Sequence, residues 1–139
     1  MHIQQADTAL IVDDDPIARA IYQAFLANFG FGTVHEAASG QQAVTTLATL
    51  QGALDLLILD LNMPEMDGIE ILKHLHEINY GGRLVIGSAS HQANRQSALK
   101  LAELYGLDLI GFIAKPLTKG KLEEVFLAAD AGAQPRLVG

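Results

Sequence analysis

The sequence predicts an α/β fold, a doubly wound five-stranded parallel sheet covered by five helices. Three observations predict it. Short apolar runs alternate with longer stretches of helical periodicity along the whole chain. One run, ALDLLILD ending at Asp60, is almost continuously apolar, as a strand buried on both faces of a parallel sheet reads. Carboxylates, a serine and a lysine stand just where the apolar runs end, and in open sheets of this kind sites form at the carboxyl ends of the strands.

The elements follow in order. Thr8 to Val12 is the first strand. Pro16 can open a helix with Asp15 as its N-cap, and Ile17, Ile21, Phe25 and Phe29 recur at helical spacing. Gly30 and Gly32 stop that helix, and Thr33 to Ala37 is the second strand. Ser39 can cap the next helix, whose apolar positions include Ala43, Val44, Leu47 and Leu50. Leu54 to Leu59 is the third strand, and the loop NMPEMDG follows at Asn62 to Gly68. In that loop Asp67–Gly68 reads as a turn and cap, with Met63 and Met66 packing it. Ile69, Leu72, Leu75 and Ile78 mark the third helix, ended by Gly81 and Gly82. Leu84 to Ile86 is the fourth strand, Ser90 to Tyr105 the fourth helix, Leu109 to Ala114 the fifth strand, and about Thr118 to Ala129 the last helix. The organisation is one domain over residues 1–130, with a tail, AGAQPRLVG, over 131–139 that has the composition of a linker or frayed end.

Composition narrows the function. The 139 residues suit one ordinary domain, and half are apolar, enough for a sizeable core. Nine basic against 16 acidic residues give a net charge of −7, which argues against a nucleic-acid footprint. With no cysteine, thiolate metal sites and disulfides are excluded, which suits a cytoplasmic setting. MHIQQADT lacks the regions of a signal peptide. No apolar run approaches the roughly 20 residues that span a bilayer. His2, His35, His74, His76 and His91 show no ligand pattern and read as surface residues.

The stretch ALIVDDDP, Ala9 to Pro16, runs four apolar residues into three carboxylates. Adjacent carboxylates repel, so something positive belongs beside them, or they cap a helix. The fold brings Asp13 and Asp14 to the same sheet edge as Asp60, Ser88 and Lys115. Three carboxylates suit a small hard cation such as Mg²⁺. A carboxylate can also attack phosphorus to give an aspartyl phosphate, with a lysine and a hydroxyl for the phosphoryl oxygens.

Four motifs, VDDDP (Val12–Pro16), LDLNMPEMDG (Leu59–Gly68), GSAS (Gly87–Ser90) and AKP (Ala114–Pro116), lie in that order at successive strand ends. Over about residues 8 to 130 the chain resembles the receiver domain of two-component response regulators. The resemblance implies a flavodoxin-like strand order, 2-1-3-4-5. It implies Asp60 as phosphoacceptor, Asp13 and Asp14 as the acidic pair, and Mg²⁺ held by Asp13, Asp14, Asp60 and the backbone carbonyl of Asn62. Ser88 with Ala89 and Lys115 would bind the phosphoryl group, Phe112 would stand at the aromatic switch position, and Lys115–Pro116 would be a cis bond. Asp15 is left as a helix cap. The partners implied are a sensor histidine kinase or phosphotransfer protein, an output domain or downstream protein, and a possible homodimer. Neither nucleic acid nor membrane is implied as a direct partner.

Departures from the family pattern are specific. Phe112 lacks a tyrosine hydroxyl, Leu117 stands where an aromatic often follows Lys-Pro, and Asn62 and Ser90 are neither acidic nor basic. ALKLAELYGLDLIGFIAKP resembles receivers that precede EAL domains, the phosphodiesterases of cyclic di-GMP. Two other readings compete. An aspartate-nucleophile phosphatase of the haloacid dehalogenase type fits Asp13 and Asp15 by spacing, but Ile17 departs from its motif. A non-phosphorylated interaction module needs only a vestigial pocket.

Overall fold

The computed structural model describes residues 7–50, 52–63, 68–88, 92–135 and 137–138, leaving out the side chains of 88 and 92–94. Ala89, Ser90, Met66, Asp67, His2 and His91 therefore lie outside the described residues, as does the hydroxyl of Ser88.

Strands and helices alternate throughout. The order is β1 (Thr8–Val12), α1 (Pro16–Phe29), β2 (Thr33–Ala37), α2 (Gly40–Leu50), β3 (Leu56–Asp60), α3 (Gly68–Glu77), β4 (Arg83–Ser88), α4 (Gln92–Tyr105), β5 (Asp108–Ala114), α5 (Lys119–Asp130) and β6 (Leu137–Val138). All pairings are parallel, and the sheet order is β2-β1-β3-β4-β5-β6. The central strands are apolar on both faces because both are covered. Ala9, Ile11, Leu56, Ile58 and Val85 pack with Tyr22 and Leu26 of α1 and with Leu122, Val125 and Phe126 of α5. Leu10, Val12, Leu57, Leu59 and Ile86 point to the other side, against Ala43, Leu47, Ile71, Leu72, Leu75, Ala98 and Ala102. Among the described residues no helix is long and apolar enough to cross a membrane.

Three expectations are corrected. The sheet has six strands, not five: Leu137 and Val138, in the stretch expected to be linker-like, pair with Phe112 and Ile113 of β5. Two residues carry no strand periodicity. What makes them a strand is the edge of β5, whose backbone groups would otherwise lack partners on that side. The face of α1 is the second correction. Ile17 is 69 % exposed, and the residues fully buried are Tyr22 and Leu26. The four-residue spacing was right, but the buried stripe sits one residue further on, a rotation of about 100°. The third concerns α3, which ends at Glu77 rather than at Gly81. Asn79 takes the left-handed conformation, φ 56°, and the amides of Asn79 and Tyr80 close on the carbonyls of His76 and Leu75.

Two glycines set close approaches. A Cβ on Gly111 would lie 2.9 Å from Val125 Cγ1, so glycine lets α5 settle on β5. A Cβ on Gly68 would lie 2.6 Å from Leu61 Cα, so glycine lets α3 begin against the end of β3.

The β6 pairing makes a stability prediction. Val138 is buried and Leu137 is 41 % exposed. Val138→Ala should cost about 1–2 kcal/mol, from roughly two buried methylene equivalents plus a cavity. Leu137→Ala should cost visibly less. Urea denaturation of both variants measures the difference, and equal effects would mean that β6 does not dock as described.

Candidate functional site

The parallel topology brings the ends of β1, β3 and β5 to one edge. Asp13 follows β1 directly, and its amide donates to Ala37 O at 3.1 Å, continuing the pairing with β2. Asp60 is the last residue of β3. Alternation from Ile11 and from Ile58 carries both acidic side chains to the α1–α5 face. Asp13 is 2 % exposed and Asp60 4 %. They are the only buried charged residues among the described residues.

Lys115, just past β5, lies between them. Its Nζ is 3.1 Å from Asp13 Oδ2 and 3.4 Å from Asp60 Oδ2. Each carboxylate spends its other oxygen on backbone. Asp13 Oδ1 accepts from Asp15 N at 2.9 Å, and Asp60 Oδ1 accepts from Asn62 N at 2.9 Å. Asp14 is exposed, yet one of its oxygens lies within 4.8 Å of an oxygen of Asp13 and one of Asp60. The donor set is all carboxylate oxygen, with no nitrogen or sulfur, which fits a small hard cation.

The electrostatics follow from burial. Asp60 is held above its ordinary pKa, chiefly by desolvation. The Asn62 amide and the Lys115 charge pull it down, while the Asp13 charge pushes it up. Burial of the Lys115 ammonium works against its charge, but the bond to Asp13 and the charge of Asp60 outweigh that, and its pKa is raised.

The surrounding loops are tied by residues that motif reading passed over. Arg19 Nη1 donates to Asp13 O at 2.7 Å while its Nε pairs with Glu36 Oε1 at 3.1 Å, locking the β1–α1 turn. Lys121 Nζ donates to Ala114 O at 3.1 Å and Pro116 O at 2.7 Å, holding the turn that carries Lys115. Each is a basic residue within about the first turn of its helix, and no sequence spacing marks it. Tyr22, on the same face, is buried beneath this edge and its pKa is raised, by desolvation first and then by Asp13 and Asp60.

The other expected residues fall as follows. Asp15 leaves the pocket: its Oδ1 accepts from Ile17 N at 2.9 Å and caps α1. The Lys115–Pro116 bond is cis. The Ser88 backbone ends β4 opposite Ala114. Phe112 is not at the carboxylates. It is 4 % exposed and belongs to the opposite core, with Ile86, Ala98 and Ala102.

A protein-family model, that of the response regulator receiver domain, matches residues 9–127. The chain belongs to this receiver family. Among its relatives, the nitrate/nitrite response regulator protein NarL of Escherichia coli is 34 % identical over 95 % of this chain and 58 % of NarL. The cyclic di-GMP phosphodiesterase RocR of Pseudomonas aeruginosa is 28 % identical over 90 % of this chain and 32 % of RocR. The receiver chain thus spans less than two thirds of either relative. Among solved structures, a chain of the CheX–CheY–BeF₃–Mg²⁺ complex from Borrelia burgdorferi is similar at 27 % identity and a TM-score of 0.75, covering 89 % of both chains. The receiver is thus part of a two-component signalling system.

Asp60 makes a pH prediction. Its folded pKa lies above the unfolded value, so the native state holds the proton more tightly. Stability from this group is then present at low pH and lost as pH rises through the folded pKa. Asp60→Asn removes the buried charge at constant shape. With cation chelated, the variant should resist urea better than the parent at neutral pH, and its advantage should shrink as the pH falls through the carboxylate range. A variant less stable at neutral pH would contradict this.

Proposed function

We propose that this receiver is a phosphoacceptor switch: Asp60 takes a phosphoryl group from a sensor histidine kinase or phosphotransfer protein, and the altered charge is read on the α4–β5–α5 surface by an output domain or partner. The observation that carries the reading is Lys115 Nζ seated between the buried carboxylates of Asp13 and Asp60, with Asp14 beside them. Mg²⁺ fits the donor set, with Asp13, Asp14, Asp60 and the Asn62 carbonyl as its ligands. When bound it would offset the charge of the phosphoryl oxygens and of the carboxylates.

The chain's own groups have defined parts. A carboxylate oxygen of Asp60 forms the new P–O bond as the donor's P–N bond breaks, and the electron pair leaves on the donor imidazole. Asn62 N fixes the rotation of the Asp60 carboxylate by holding Oδ1. Lys115 is already on the Oδ2 side and needs little movement to pair with a phosphoryl oxygen. The Ser88 hydroxyl and the Ala89 amide are the remaining groups for that oxygen set. A phosphoryl group brings about −1.5 to −2 charges in place of the carboxylate's one, and movement of Ser88 toward it would alter the core around Phe112. The aspartate-nucleophile phosphatase reading is disfavoured because it asks Asp15 to act in the pocket, whereas Asp15 caps α1.

RocR is named as a cyclic di-GMP phosphodiesterase. That name and the EAL-type pattern of residues 98–116 together support an output that controls cyclic di-GMP.

Incubation with Mg²⁺ and acetyl phosphate tests the reading. The expected result is a mass increment of one phosphoryl group in the parent, dependent on Mg²⁺ and missing in Asp60→Asn. Lys115→Met, assayed under conditions where circular dichroism shows it folded, should lose most of the adduct. An unmodified parent would leave an interaction module with a vestigial pocket.

A further inference from the structure

One buried polar group beneath the site has no assigned part. Tyr22 is 1 % exposed, and its hydroxyl has no hydrogen-bond partner among the described residues. Buried hydroxyls in folded proteins are nearly always partnered, by protein or by ordered water. This one stands where β4 has made room for it. A Cβ on Gly87 would lie 2.6 Å from the Tyr22 hydroxyl, so any other residue there would push the phenol aside. Gly87 is not among the glycines with positive φ, so what it supplies is space.

The location is specific. Gly87 is the register partner of Asp60 across β3 and β4. By alternation from Val85 it faces the α1–α5 side, as Asp60 does from Ile58 and Asp13 from Ile11. The phenol oxygen therefore lies over Gly87, on the face and at the strand level that carry Asp60. Burial and the negative charges of Asp13 and Asp60 keep the hydroxyl protonated, so it offers a donor rather than a charge.

We propose that Tyr22 is a positioning residue of the acidic site: its hydroxyl, admitted by Gly87, is a buried hydrogen-bond donor linked through one water to the Asp13–Asp60 carboxylate pair. The proposal deepens the phosphoacceptor reading and rests on it for the site's purpose. Its chemistry is that of an outer partner that orients ligating carboxylates from behind. With the Asn62 and Asp15 amides on the Oδ1 atoms and Lys115 on the Oδ2 atoms, it adds a donor from below the sheet edge.

The test uses the full chain and Tyr22→Phe, which removes one oxygen and keeps the ring. The chain has three tyrosines and no tryptophan, so near-ultraviolet difference spectra report on tyrosine directly. With EDTA present, Asp60→Asn should shift the tyrosine band in the parent background and leave it unshifted in the Tyr22→Phe background. In calorimetric titration with Mg²⁺ alone, Tyr22→Phe should bind roughly tenfold more weakly at an unchanged thermal midpoint. Equal Mg²⁺ affinity in the two proteins, or a tyrosine band indifferent to Asp60→Asn, would overturn the proposal and leave Tyr22 as packing. The acetyl phosphate adduct is a separate readout. Its absence, with the spectral coupling intact, would sink the phosphoacceptor reading and not the Tyr22 contact.

Discussion

The ammonium of Lys115 between two buried carboxylates is the constraint on which the rest of the site depends. Burying the Asp13 and Asp60 carboxylates this deeply is costly without a cation close by. The lysine comes from the far end of the chain, after β5, so the pocket exists only when strands one, three and five are in register. Its own position is fixed in turn by Lys121 on the carbonyls of Ala114 and Pro116. A local charge balance is thereby tied to the global fold.

The sheet also separates the chemistry from the surface proposed to read it. Asp13 and Asp60 belong to the α1–α5 side, while Phe112 is packed on the α2–α3–α4 side. A change at the carboxylates can reach Phe112 only through the strand ends and the loops after them. β5 carries both parts, with Phe112 three residues before Lys115. The same strand bears β6 on its outer edge, and Phe112 is the register partner of Leu137. Displacement along β5 would be felt by that edge strand as well.

Much of this was legible in the sequence because the physical signals were local. Thr8–Val12 was delimited to the residue by its apolar run, and Thr33–Ala37 by Gly30 and Gly32 before it and Ser39 after it. Asp13, Asp14, Asp60 and Lys115 could be grouped because a parallel sheet sends its strand ends to one edge, whatever the sequence distance. The illegible parts depended on tertiary context. β6 is a strand only because β5 has an open edge. The buried stripe of α1 turned on whether Ile17 or Tyr22 met the sheet, and both fit a four-residue spacing. Helix ends set by Asn79 rather than by the later glycines needed a left-handed residue that composition does not announce. Arg19 and Lys121 act on backbone carbonyls, which leave no trace in side-chain patterns.

The formal charges at the site constrain the phosphoacceptor reading. Asp13, Asp14 and Asp60 against Lys115 leave 1 − 3 = −2. A phosphoryl donor is itself anionic and would meet that charge at close range, in surroundings less screened than water. Lys115 alone cannot reverse the sign. A divalent cation held by these carboxylates would bring the formal sum to zero, and the exposed Asp14 would be its ligand on the solvent side. Transfer would then replace the single charge of Asp60 by nearly two. Lys115, drawn by both carboxylates, would gain a stronger anion on the Asp60 side. On the phosphoacceptor reading, a shift of that one ammonium would be the first mechanical consequence of phosphorylation, and it would pull on the turn at the end of β5.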